Sequence, residues 1–319
     1  REYFASYPAE VIVLRYTADE AKALNFSVKP VSAHPRNIQV NNGVVTIAGK
    51  LKDSEPYTGG GKATYNQPSD LEYCTKIKVI ADDGELVDHY GNVQVKNATG
   101  VTIIITSATD YDPNAFSINA YGKVNGDISQ FKHKDGVQFA IQKAEKRLAN
   151  ANNKTFEDLK KEHIADYQPL FNRVSFDLGK KEISKSIPTN EHVAAYAKVI
   201  KGIKAGESIS YPKAEYDNLD THLEELFYQY GRYLMIASSR EKTLPATLQG
   251  KWNQSVAEIW GSTYCININL EMNYWFAGGA NLIGSGKALV NWIQTQIPAG
   301  SLTAKNMYNA STSSYHLDK

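Results

Sequence analysis

Up to about residue 125, the apolar positions come in short runs rich in β-branched side chains. The runs lie at residues 11–18, 24–31, 44–51, 73–81, 92–98 and 101–109. Turn-forming pairs such as Asn42-Gly43 and Asp83-Gly84 separate them, as expected between β-strands. Because no helical pattern lies between the runs, they predict an antiparallel β-sandwich rather than a parallel sheet of βαβ units.

The spacing of apolar residues changes to that of an α-helix near residue 136, beginning with Val137 and continuing to Leu148. Thr155 is the predicted N-cap of a second helix, because Asp158 follows it at the spacing of a capping box. This pair of helices predicts a connector. The polar passage at residues 177–181 and the proline and asparagine that follow predict a domain boundary.

The second half of the chain has a helical pattern interrupted by one long loop. An amphipathic helix is predicted from an apolar stripe made of Leu219, Leu223, Leu226, Phe227, Tyr230 and Leu234. Arg240 and Lys242 follow it and would suit the negative end of the helix dipole. The predicted organisation is therefore a β-sandwich at residues 1–135, a helical linker at 136–189 and a helical domain from 190 to 319.

Composition excludes several classes of protein. The 319 residues carry 35 Lys and Arg against 34 Asp and Glu, so no basic surface for nucleic acid is expected. No apolar stretch approaches the roughly 20 residues that span a bilayer, so membrane insertion is not expected. Two distant cysteines, Cys74 and Cys265, do not form a disulfide framework and are expected to be buried. The histidines show no metal-ligand spacing, and we predict no metal and no cofactor.

The loop at residues 244–275, which we call the tryptophan loop, is the segment most suited to binding a ligand. It holds three of the four tryptophans and many side-chain amides, and flat aromatic rings stack on the apolar faces of sugars. The predicted ligand contacts are Trp252, Asn253, Trp260, Glu271 and Trp275.

Polar and apolar residues alternate from Asn267 through Asn269 to Glu271. If this segment is extended, its three polar side chains project to one face, where the amide oxygens could hold a water molecule. The alternative is that Asn267 and Asn269 satisfy backbone groups of an irregular loop. Spacing alone favours this alternative, because the same alternation describes any half-exposed strand.

Several long strings in the sequence resemble glycoside hydrolase family 95, the inverting α-L-fucosidases. They are REYFASYP at residues 1–8, VIVLRYTA at 11–18, HIADYQPLFNRVSFDLG at 163–179, YQYGRYLMIASSR at 228–240 and the whole loop at 244–275. The resemblance implies a β-sandwich, a helical linker and an (α/α)6 toroid, with a fucosylated oligosaccharide or glycan as substrate. It also implies that Asn267 and Asn269 hold the attacking water and that Glu271 is a partner or substrate contact.

In that family the general-acid Glu and its assisting Asp lie well downstream of the Asn-x-Asn motif, beyond Lys319. The resemblance therefore predicts that this chain is part of a larger hydrolase and is inactive alone. It also favours a bacterial source and an extracellular or periplasmic location. The alternatives are a non-catalytic carbohydrate-binding protein, a related α-L-galactosidase, which differs by one sugar hydroxyl, and a phosphorolytic relative.

Overall fold

A computed structural model describes most of the chain. The described ranges are residues 1–51, 71–112, 132–179, 187–201, 220–253 and 259–310. Leu219 of the predicted stripe and the last two residues of the predicted boundary passage lie outside these ranges. Within the described ranges, no helix is both long and apolar enough to cross a membrane.

In the described part of the N-terminal region, nine antiparallel strands form two sheets. The strands are β1 Glu2–Ser6, β2 Val11–Thr17, β3 Leu24–Val28, β4 Asn37–Asn41, β5 Val44–Lys50, β6 Glu72–Ala81, β7 Glu85–His89, β8 Asn92–Ala98 and β9 Gly100–Thr109. The larger sheet has the order β1-β2-β9-β6-β5-β4, and the smaller has the order β3-β8-β7.

The two sheets share one apolar core. Val45 and Val79 of the larger sheet and Val93 and Val95 of the smaller sheet are fully or almost fully buried in it. Burial of such side chains stabilises the fold by roughly 1.5–3 kcal/mol each. The predicted antiparallel sandwich is confirmed.

The sequence runs did not include three of the strands, β1, β4 and β7. Strand β4 illustrates the reason, because three of its five residues are Asn or Gln. It lies at the edge of its sheet, beside β5 alone, and an edge strand exposes more polar positions than a central one. The turn from β4 to β5 was predicted, and Asn42 and Gly43 have φ of 50° and 69°, as a tight hairpin requires.

Two helices cover the outer face of the larger sheet, α1 Val137–Asn152 and α2 Phe156–Phe171. Helix α1 buries Ala140 and Ala144 against Cys74 of β6. The predicted capping box at the start of α2 is confirmed, since the Thr155 side chain accepts from the Asp158 N–H and the Asp158 side chain accepts from the Thr155 N–H.

The described residues after α2 contain four further α-helices, α3 Thr189–Lys201, α4 Thr221–Ser238, α5 Asn269–Tyr274 and α6 Ile283–Tyr308. Helix α4 buries Met235 and Ile236 with Leu282, which precedes α6. The predicted stripe is not its buried face in the described part of the chain, because Phe227 is 78% and Tyr230 is 53% exposed. Apolar spacing identified the helix but not the side on which it packs.

Side chains from three regions meet where the sandwich, α2 and α4 join. The Arg240 guanidinium donates two hydrogen bonds to Asp166 of α2, at 2.8 and 2.5 Å. It also lies 4.2 Å from the centre of the Tyr7 ring, a favourable cation–π contact. Arg240 therefore binds a carboxylate rather than the C-terminal end of α4. That helix ends at Ser238 and has no basic residue in its last turn.

Candidate active site

A tight turn forms one side of the loop that holds the predicted site residues. Thr247 and Gly250 exchange backbone hydrogen bonds of 3.1 and 2.9 Å. Gly250 has a φ of +71°, and a Cβ there would come within 2.9 Å of the Trp252 ring. Both features favour glycine, so Gly250 sets the position of Trp252.

This turn is attached to the residues around a short 3-10 helix, Ile259–Ser262. The Leu248 N–H donates to the Thr263 carbonyl at 3.0 Å. The Thr247 hydroxyl lies 3.0 Å from that of Ser262. These bonds hold the chain around Trp252 and the chain around Trp260 in a fixed relation.

Helix α5 forms the second element of the site and is anchored by its buried residues. Leu270 is 3% and Tyr274 is 9% exposed. The Tyr274 hydroxyl accepts from the Ala246 N–H at 2.9 Å and lies 2.7 Å from the Ser239 hydroxyl. Burial raises the pKa of Tyr274, which keeps the phenol protonated.

Residues 267–271 do not form an extended segment, so the condition under which their three polar side chains would share one face is not met. Residues 266–268 form a turn and α5 begins at Asn269. A helix advances about 100° per residue, so Asn269 and Glu271 project to nearly opposite sides rather than to one face. Asn273, one turn after Asn269, lies on the same side as Asn269, and its amide donates to the Thr247 carbonyl at 3.0 Å.

The side chains of Asn267, Asn269 and Glu271 have no hydrogen-bond partner among the described residues. Asn267 and Glu271 are exposed and Asn269 is half-buried. Within the described residues, none of the three makes a side-chain hydrogen bond to the protein. The alternative that Asn267 and Asn269 satisfy loop backbone groups is therefore not supported.

The three tryptophans of the loop are exposed, Trp252 by 46%, Trp260 by 51% and Trp275 by 67%. Asn253 is exposed beside Trp252. Trp275 follows directly after α5, as its C-cap. Tryptophan is enriched at binding surfaces, because its ring is apolar and its N–H can still donate to a polar partner.

Sequence reasoning missed two features of this loop. Asn273 connects α5 to the turn, and its four-residue spacing from Asn269 is a helical signal that could have revealed this face. The Gln249 side-chain oxygen is buried without a partner, which no sequence pattern indicates.

The Cys265 side chain is partly exposed rather than buried, whereas Cys74 is buried as expected.

The described residues offer no group of three or more His, Cys, Asp or Glu side chains that could hold a metal ion. Among the described residues of the loop, the groups suited to contacting a sugar are side-chain amides, the carboxylate of Glu271 and indole rings. Amide oxygens can accept hydrogen bonds from water or sugar hydroxyls, and a carboxylate can accept a proton or a hydroxyl hydrogen.

Two family models match separate parts of the chain. The model of the glycosyl hydrolase family 95 catalytic domain matches residues 155–319, and that of the glycosyl hydrolase family 65 N-terminal domain matches residues 1–114.

Three curated proteins also match. Alpha-L-fucosidase 2 of Arabidopsis thaliana is 25% identical over 98% of this chain and 34% of its own length. Probable alpha-fucosidase A of Aspergillus niger is 26% identical over 98% and 35%, respectively. The protein of the same name from Aspergillus oryzae is 30% identical over 68% of this chain and 26% of its own length. The chain thus spans about a third of the length of its first relatives. Because these relatives are from a plant and from fungi, the bacterial source stays a prediction.

Proposed function

This chain belongs to glycosyl hydrolase family 95, and from that premise we propose that the whole protein hydrolyses terminal α-L-fucosyl linkages of glycans with inversion. The observation that carries the proposal is the pair of unpartnered amides, Asn267 and Asn269, at the start of α5. The names of the curated relatives support fucose as the sugar released.

In the proposed mechanism, the side-chain oxygens of Asn267 and Asn269 accept the two hydrogens of a water molecule. This aims an oxygen lone pair at the anomeric carbon and leaves that lone pair free to attack. An amide is a poor base, so a nearby carboxylate must polarise the asparagine pair and finally take, through that pair, the proton that the water loses as its bond to the sugar forms. A second carboxyl group protonates the leaving oxygen on the other side of the sugar.

Glu271 is a substrate contact in this proposal rather than the base. Glu271 lies about 200° around α5 from Asn269. Its side chain therefore points away from a water held by Asn269. Trp252, Trp260 and Trp275 supply ring faces for the apolar side of the sugars. Turn bonds at Thr247 and Gly250 fix Trp252 relative to α5.

The test is hydrolysis of an α-1,2-fucosyl oligosaccharide by the full-length protein, with NMR detection of the first anomer released. We expect β-L-fucose, the product of inversion. Asn267→Ala and Asn269→Ala should each lower kcat by roughly 100-fold or more with little change in KM, the loss typical of removing one group that acts on the transition state. Asn306→Ala, which removes an exposed asparagine of α6, is the matched control and should leave kcat unchanged.

Several outcomes would overturn this assignment. Release of α-L-fucose would refute inversion, and full activity in both asparagine variants would refute their role with water. Preference for α-L-galactosides, phosphate-dependent cleavage, or saturable glycan binding without cleavage would each replace the proposed activity with one of its alternatives.

A further inference from the structure

A cleft lined mainly by polar residues lies on the β-sandwich, and no residue of the tryptophan loop lines it. It has a volume of about 500 Å³, within the usual range for small-ligand sites. The cleft is formed by strands β4, β5 and β6 and by helix α1, and we call it the β4–β6 cleft. Its lining residues are Gln39, Asn41, Val44, Thr46, Lys76, Lys78, Glu145, Leu148, Ala149 and Asn152.

Strand register explains why these side chains share one surface. Thr46 of β5 pairs with Gln39 on one side and Lys76 on the other. Two residues along, Val44 likewise pairs with Asn41 and with Lys78. Paired residues lie on the same face of a sheet, and residues two apart keep to that face. Two parallel rows of side chains therefore form the floor, and α1 forms one wall.

The cleft contains one cation without a carboxylate partner. The Lys76 ammonium contacts Glu145 at 3.0 Å and donates to the Thr46 hydroxyl at 3.3 Å. The Lys78 ammonium instead donates to the Asn42 carbonyl at 2.7 Å, and the described residues give it no ion pair. A lysine has three donors, so Lys78 can still bind an anion from the cleft.

The other groups of the cleft match a sugar rather than a bare anion. Gln39 and Asn41 have side-chain amides without partners among the described residues. Val44 and Leu148, which pack together in one apolar cluster, give a patch of apolar surface. A pyranose ring combines an apolar face with a rim of hydroxyls, and amides donate to and accept from those hydroxyls.

The cleft lies at the end of β5 and β6 that is next to the β4–β5 turn. The gaps in the described chain begin and end at the opposite end of these strands, near the paired residues Lys50 and Glu72 and near the bridge between Tyr111 and Lys132. Lys78 is six residues along β6 from Glu72, or about 20 Å at the usual rise of a strand. The described flanks of the gaps at residues 52–70 and 113–131 are therefore remote from it.

We propose that the β4–β6 cleft binds an acidic sugar unit, with its carboxylate on Lys78 and its hydroxyls on Gln39 and Asn41. The ligand class is a glycan that contains uronic acid. This binding involves no residue of the tryptophan loop, so it does not depend on the proposed catalytic function.

The test is calorimetric titration of the full-length protein with trigalacturonic acid and with its neutral methyl ester. We expect saturable binding of the acid and binding of the ester that is about 5-fold weaker, as the loss of one solvent-exposed ion pair implies. Lys78→Gln should weaken acid binding by about 5-fold and remove the difference between acid and ester. Gln39→Ala should weaken both ligands, because it removes a contact to a hydroxyl.

The matched control is Lys29→Gln, at an exposed lysine that follows β3 of the smaller sheet. It should leave both affinities unchanged. The proposal is overturned if no saturable binding of the acid occurs, if acid and ester bind equally to the unmodified protein, or if Lys29→Gln acts like Lys78→Gln. Thermal unfolding of each variant shows that a lost affinity is not a lost fold.

Discussion

Arg232 is the largest fully buried side chain of the described residues, with 0% exposure. Its guanidinium donates to the carbonyls of Phe171 at 2.7 Å and Leu170 at 3.0 Å. It also donates to the Gln229 side chain at 2.8 Å and to the Ala280 carbonyl at 3.3 Å. One buried cation thus joins the end of α2 to α4 and to the chain before α6.

We predict that Arg232→Met lowers the free energy of unfolding by about 4 kcal/mol. The last carbonyls of a helix have no partner within it, and each buried carbonyl left without a donor costs about 1–3 kcal/mol. Arg232→Met removes the donors of two such carbonyls in α2 and of one before α6. Arg232→Lys keeps the charge but lacks the planar fork that reaches several acceptors, and we expect a loss of about 2 kcal/mol.

The assay is urea unfolding followed by the circular dichroism of the helices. With a slope of about 2 kcal/mol per molar urea, the midpoint of Arg232→Met should fall by about 2 M. Arg173→Met is the matched control, because Arg173 is exposed near the same end of α2 and bonds to the Pro169 carbonyl at 3.1 Å. The reasoning is refuted if Arg232→Met unfolds within about 0.25 M of the unmodified protein, which at this slope is the roughly 0.5 kcal/mol scale of a surface substitution.

Three further predictions concern the cap of α2, a half-buried histidine and the turn before Trp252. Thr155→Ala removes the acceptor of the Asp158 N–H and should cost about 1 kcal/mol in the same urea assay, whereas an unchanged midpoint would contradict the cap. Burial lowers the pKa of His163, so the unfolded chain binds more protons at mildly acidic pH; stability should fall as pH drops below about 6.5, and His163→Phe should reduce that fall. Gly250→Ala strains a positive φ and meets the Trp252 ring, so it should lower kcat/KM for fucosyl substrates and quench or shift tryptophan fluorescence; normal values of both would show that the turn does not position Trp252.

Patterns of neighbouring residues predicted much of the β-sandwich and of the helical linker. The strand runs, the Asn42-Gly43 turn and the capping box at Thr155 depend on neighbouring residues, and the structure contains all three. Strand β4 was missed because its sequence is as polar as a loop. Its strand conformation comes from pairing with β5, which is a contact between segments.

At the candidate site, too, the sequence did not show what depends on contacts between segments. Sequence identified the tryptophan loop and the amides Asn267 and Asn269, because residue type and family resemblance are properties of the chain. It did not determine the side from which each projects. Alternating polarity fits a strand, and the burial of Leu270 and Tyr274 makes the segment helical from Asn269 instead.

Tertiary structure alone decided which charged groups are buried and which are free. Arg232 lies in a region of apolar and aromatic residues and shows no sequence sign of burial, yet it takes its acceptors from residues 48 to 62 positions away. Lys76 and Lys78 are two residues apart on one strand, but of the two only Lys76 meets a carboxylate among the described residues, because Glu145 of α1 lies beside it. Residue chemistry is fixed along the chain, whereas solvation and partners are fixed by the segments that fold against it.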